Sequence, residues 1–149
     1  MIFKIRFLLF TLIIVVFSCS KKDNCTSNKI NITSLENEYG CPDIRYSDVD
    51  IEENYLIISN QESFEELNMV SCTPEINFSK YDLIIGKKSL SQGNQSINYE
   101  LSKSCVTQNL ILKVIFTQNE AAVALTVTYH VLIPKLENQQ IISVELEEQ

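Results

Sequence analysis

Glycine, proline and histidine are scarce in this 149-residue chain, which has three, three and one of them. With His130 as the only histidine, a zinc site of interleaved cysteines and histidines has too few ligands, and imidazole acid–base chemistry has a single possible centre. No glycine lies between Gly40 and Gly86, so that stretch lacks the sharp turn of a calcium loop. No phosphate-cradling loop, G-x-S-x-G elbow or zinc-protease helix occurs. Bases are few too: 12 against 19 acids, a net charge of −7. Nucleic-acid binding needs clustered Lys and Arg to displace counterions, so that partner class is excluded.

What is present begins with an uneven distribution of apolar residues. Residues 7–17 form an apolar run relieved only by Thr11; Lys4 and Arg6 precede it, and no acid occurs before Asp23. A basic n-region, a short apolar core and a small residue at its end make a secretory signal. A membrane-spanning helix needs roughly 20 apolar residues, more than this run supplies. Val16-Phe17-Ser18-Cys19 resembles the bacterial lipobox, with a bulkier residue than usual at Phe17. The resemblance implies a signal peptide over 1–18, cleavage after Ser18 and lipid on Cys19. Each buried methylene contributes about 0.8 kcal/mol, so two or three acyl chains hold stably without any spanning segment. Lys21-Lys22-Asp23 loosely resembles the charged export signal of Bacteroidota lipoproteins, which implies an outer-membrane address. Losing residues 1–18 removes two cations and no acid, moving the net charge from −7 to −9. So acidic a surface is repelled by anionic lipid, which leaves attachment to the anchor.

Four further cysteines remain: Cys25, Cys41, Cys72 and Cys105. In an exported chain an even number points to disulfides, and four allow three pairings. Cys25–Cys41 with Cys72–Cys105 is the favoured expectation, the first stapling the N-terminal stretch into a loop. Spacings of 16, 31 and 33 residues argue against metal binding. No cofactor motif is present.

Along the body, residues 19–54 have little period and read as a tether and irregular N-terminal region, with a turn at Gly40-Cys41-Pro42-Asp43, and with Ile30, Ile32 and Leu35 either making a short strand or packing loosely on the main domain. Residues 55–149 read as one β-rich domain. A strand at 55–58 precedes Ser59 and Glu62, spaced as a capping box, and the pattern predicts an amphipathic helix over 60–70. Alternation then predicts strands at 81–89, 96–102, 109–118, 121–134 and 141–146, joined by short polar turns as antiparallel hairpins. Leu110, Leu112, Val114 and Phe116 share one parity and Ile111 and Ile115 the other, as if both faces were covered. The expected fold is mainly β with one short helix: an antiparallel sandwich or partly closed sheet of about five to seven strands, following the N-terminal signal helix.

Ile76-Asn77-Phe78-Ser79-Lys80-Tyr81-Asp82-Leu83-Ile84-Ile85-Gly86, with Thr128-Tyr129-His130-Val131-Leu132-Ile133-Pro134-Lys135, resembles the PrcB-type C-terminal domain of bacterial lipoproteins across residues 55–147. That family is named for a lipoprotein supporting a surface protease complex, so the resemblance implies an envelope protein partner of that kind. The family's Gly-Gly-Tyr stretch is reduced here to one glycine, Gly93, within Ser91-Gln92-Gly93-Asn94.

Candidate chemistry is sparse. Cys105 and His130 are the sole nucleophile–base candidates, and an exported thiol is normally oxidised. Asp48, Asp50, Glu52 and Glu53 read as a solvated acidic face; Glu62, Glu65 and Glu66 read as dipole-complementing charge on the helix rather than a glycosidase pair. The sequence therefore predicts a noncatalytic, lipid-anchored envelope module that binds or supports a partner protein. The alternative is an exported enzyme, or a protease inhibitor presenting loops 91–96 and 117–120.

Overall fold

The computed structural model describes residues 27–51, 54–69 and 72–149. The expectations for 1–18, the lipid site Cys19, and Cys25 lie outside the described residues. The described chain forms seven strands in two sheets, with two short helices. In order these are β1 (Asn28–Ile30), α1 (Leu35–Tyr39), β2 (Tyr55–Ile58), α2 (Gln61–Glu66), β3 (Tyr81–Leu90), β4 (Asn94–Lys103), β5 (Leu110–Gln118), β6 (Leu125–Pro134) and β7 (Ile142–Glu148). One sheet has the order β1-β4-β5-β7 and the other β2-β3-β6. The expected sandwich of about five to seven strands is the observed class, and neither sheet closes into a barrel.

The longer strands follow the alternation in the sequence. Leu110, Leu112, Val114 and Phe116 turn inward and are buried. The other parity of β5 is half-buried along its length. The strand is therefore covered fully on one face only, because nothing among the described residues packs as a layer over the outer side of the four-stranded sheet. Across the sandwich, Ile84, Val127, Tyr129, Val131 and Ile133 complete the inter-sheet core. Phe116 meets Tyr129 edge-on, ring centroids 5.8 Å apart.

β6 is the strand covered on both sides, buried without a break from Val127 to Ile133. Its second face, with Leu83 and Ile85 of β3, lies under a cover made of α1, α2 and the loops around them. Leu35, Ile44 and Val49 reach zero exposure there. The stretch expected to be a tether and irregular region, with a short strand or loose packing around Ile30 and Leu35, is part of the fold from β1 onward: Asn28–Ile30 pairs with Leu101, Ser102 and Lys103 of β4. Its apolar residues come from loops and a five-residue helix, so no period marks them in the sequence.

Both helices are set by their caps. α1, which the sequence reading did not foresee, has Ser34 as N-cap, whose Oγ accepts from the Asn37 N–H, and ends at Gly40 with φ 69°. α2 is shorter than 60–70, and its N-cap is Asn60, not Ser59; the Asn60 side chain accepts from the Ser63 N–H at 2.8 Å. Asn caps at least as well as Ser, and Asn68 with φ 50° ends the helical path early.

Two further expectations are corrected. Cys41 is bonded to Cys72, with a Cα–Cα separation of 5.6 Å, which replaces both Cys25–Cys41 and Cys72–Cys105. Each cysteine follows one of the short helices, so the bond ties the two halves of the cover together instead of closing the N-terminal stretch on itself. Cys105 is disulfide-bonded as well. Secondly, β7 pairs with β5 in parallel. No crossover helix is needed, because the intervening chain crosses to the other sheet as β6 and returns. Among the described strands joined by a short connection, only β4 and β5 pair within one sheet, through the loop 104–109.

Candidate ligand-binding pocket

β6 is the last strand of its sheet, so alternate backbone groups along it face no neighbouring strand. Buried N–H groups of this kind need acceptors. The Thr128 N–H donates to the Arg45 carbonyl at 2.8 Å, and the Leu132 N–H to the Thr33 carbonyl at 2.9 Å. The intermediate His130 N–H donates instead to the Tyr99 hydroxyl, 3.0 Å away, on β4 of the facing sheet. Between Thr33 and Arg45 the chain bulges outward as α1, and a cavity of about 440 Å³ opens there.

Four parts of the chain line it. α1 and its cap supply Ser34, Glu36 and Asn37; the following loop supplies Asp43 and Arg45. The edge of β4 contributes the stretch from Gln95 to Ile97 and Tyr99, and β6 contributes His130. Glu36 Oε2 lies 3.0 Å from His130 Nε2. Burial works to raise the Glu36 carboxyl, but hydrogen bonding and charge from His130, with help from Ser34, bring it down to about 2. An ionised carboxylate only accepts, so Nε2 carries the proton in this bond. The ring's other nitrogen, Nδ1, is buried with no protein partner.

Arg45 is the second anchor. Its Nε donates to both Asp43 carboxylate oxygens at 3.0 and 2.8 Å, and a terminal nitrogen donates to the Gln95 carbonyl at 3.0 Å. The guanidinium hydrogen bond holds Asp43 below the usual carboxylate range, and Asp43 in turn raises Arg45. Arg45 thereby fastens the loop to the start of β4. Burial pushes the Tyr99 phenol up, keeping it protonated.

The residues singled out from sequence are placed apart from one another, His130 excepted. Cys105 is disulfide-bonded, which removes the thiol from the proposed nucleophile–base pair. Asp48 pairs with Lys87 at 3.0 Å, and Glu52 and Glu53 lie outside the described residues. Glu62, Glu65 and Glu66 are exposed on α2. Among the described residues no three metal-ligating groups converge. Loops 91–96 and 117–120 pack on each other: the Gly93 N–H donates to the Ala121 carbonyl and the Asn119 N–H to the Gly93 carbonyl. A Cβ on Gly93 would meet Asn119 Oδ1 at 2.3 Å, so this glycine serves close approach and the loops are not free-standing. Sequence reasoning passed over Glu36, Asp43, Arg45 and Tyr99. One signal was available: Arg45 is the only arginine after Arg6, two residues beyond Asp43 at a turn.

No family model, curated protein or solved structure matches the chain.

Proposed function

We propose that this chain is a noncatalytic, lipid-anchored module of the bacterial cell envelope, held at the outer membrane through Cys19, that keeps a partner protein in place by adding one of its strands to β7. The observation that carries this reading is the outer edge of β7. The Leu110 N–H donates to the Ile141 carbonyl, and Gln149 both donates to Phe116 and accepts from Gln118. The parallel register then puts odd positions of β7 on the β5 ladder and turns the N–H and C=O groups of Val144 and Leu146 outward. Such an edge is a template for an extended segment.

Charge narrows the occupant. Glu145 is exposed beside this edge, and the chain as a whole is acidic. A second acidic copy is disfavoured there, and an extended basic segment is favoured. The held position of His130 supports binding over turnover, since its Nε2 is engaged by Glu36 and its side chain is 4% exposed. The resemblance of residues 55–147 to PrcB-type domains points to a protease complex as the class of partner.

Two experiments test the reading. Capture from detergent-solubilised envelopes with Leu146→Pro, which deletes an outward N–H, is expected to lose a stoichiometric partner retained by the wild type. Glu145→Lys should weaken the same capture without touching the ladder. Unchanged capture by both variants sinks the edge reading. For the anchor, Cys19→Ser should leave the detergent phase and lose the lipid mass; a variant that still partitions with lipid contradicts anchoring at that sulfur.

A further inference from the structure

A cavity the size of the one beside His130 falls within the range of about 300–1,000 Å³ of small-molecule sites. Such sites are largely apolar with a few placed polar groups, and this one likewise carries several polar groups on a partly apolar lining. Its walls alternate donors and acceptors: the amides of Asn37 and Gln95, the hydroxyls of Ser96 and Tyr99, and the Glu36 carboxylate. Every charge in the wall is already answered from within the protein. Arg45 is engaged by Asp43 and the Gln95 carbonyl, and Glu36 by His130. An anion entering here would meet two carboxylates and a guanidinium whose donors are committed. A cation would have to displace a hydrogen-bonded imidazole from Glu36. A neutral ligand faces neither cost.

The hydrogen-bonding groups also remain unsaturated in a particular way. The Tyr99 hydroxyl accepts from the His130 N–H, which leaves its own proton to donate, and the imidazole Nδ1 has no protein partner. Ile97 and the Tyr99 ring add an apolar patch beside these groups. Closely spaced groups that both donate and accept, next to a small apolar surface, match a ring that carries hydroxyls at its rim and C–H bonds on its face.

We propose that the cavity between α1, β4 and β6 binds a neutral saccharide unit, with Glu36, Asn37, Gln95 and Tyr99 reading its hydroxyls. The site lies between the two sheets, away from the outer edge of β7, so saccharide and protein partner are bound independently.

The test is a titration of the full mature chain in a non-glycosidic detergent, read through the imidazole signal of its one histidine. Glucose, N-acetylglucosamine and their β-linked disaccharides are the probes; inorganic phosphate and spermidine are the charged controls. At least one neutral saccharide is expected to shift the signal saturably, and the charged controls are not. Tyr99→Phe and Gln95→Ala should each weaken that binding about tenfold, the loss of one well-placed hydrogen bond. Gln95 is exposed, so the second variant keeps the test valid if the first alters folding. Saturation by a charged control alone, a response equal in wild type and Gln95→Ala, or no saturable response to any probe overturns the proposal. Partner capture through β7 is measured separately and should be unchanged in Gln95→Ala.

Discussion

The two faces of the β2-β3-β6 sheet are buried by different means. On one side Ile84, Tyr129, Val131 and Ile133 meet a second sheet, strand against strand, in a core whose side chains recur every second residue. On the other side Leu83, Ile85 and Leu132 are covered by two short helices and loops, pinned by a disulfide. Hydrogen bonds from the second face reach the cover: the Thr128 hydroxyl donates to the Ser47 carbonyl at 2.9 Å and His130 pairs with Glu36. The regular face derives its order from backbone ladders. The irregular cover has few ladders of its own, so its order rests on specific ties, and the cavity sits where those ties are spaced apart.

The sharpest way to break this contrast is to hollow out the regular side. Phe116→Ala removes a fully buried ring and should cost about 3–5 kcal/mol, seen as an earlier denaturation midpoint shared by every probe of structure. A transition that splits into two steps would contradict the single shared sheet. Replacing Cys41 and Cys72 together with serine should cost about 2–4 kcal/mol, and unevenly. Amide exchange should accelerate over residues 33–47 while the β4–β5 ladder keeps its protection; uniform loss would mean the bond supports both faces equally. Gly86→Ala probes the seam between them. Its added Cβ would lie 2.4 Å from both the Asn54 carbonyl and the Tyr129 ring, and about 1–3 kcal/mol of overpacking is expected in thermal unfolding.

The smallest expected effect is electrostatic. Glu36 sits at about 2 in the folded protein against an ordinary 4.5, so the folded state favours its ionised form. Its contribution is therefore fully present above about pH 5 and is lost as pH falls toward 2. Because the carboxylate is partly exposed and near Asp43 and Arg45, solvent screening reduces that contribution to on the order of 1 kcal/mol. Glu36→Gln should flatten this part of the acid-stability profile; an unaltered slope would show that another carboxylate sets it.

How much of this was legible depends on periodicity. β3, β5 and β6 announce themselves because one face of each is apolar at every second position, and the sandwich follows from having several such strands. Which sheet each strand joins is not written in that pattern. β6 could be placed as a strand, but its transfer to the other sheet, and hence the parallel β5–β7 pairing, depends on long-range packing. Ile44 and Val49 are core residues without a period, so their stretch reads as irregular; only Leu35, with Ile30 and Ile32, is marked in the sequence as able to pack on the domain. The pocket was hidden for a related reason: Glu36 and His130 are 94 residues apart, and only the bulge of α1 away from the β6 edge brings them to one cavity. By its spacing Ser59 reads as the cap; Asn60 has an equally suitable side chain, and its hydrogen bond from the Ser63 N–H decides for it.

The parallel partnership of β5 and β7 has a consequence for assembly. During synthesis β5 emerges well before β7, and the intervening β6 pairs in the other sheet. Until β7 arrives, β5 keeps an unpaired backbone edge, including the Leu110 N–H and the Phe116 carbonyl that Ile141 and Gln149 later satisfy. Completion of the four-stranded sheet thus waits for β7, the latest of its strands in sequence, and a product truncated before it keeps an open edge on β5.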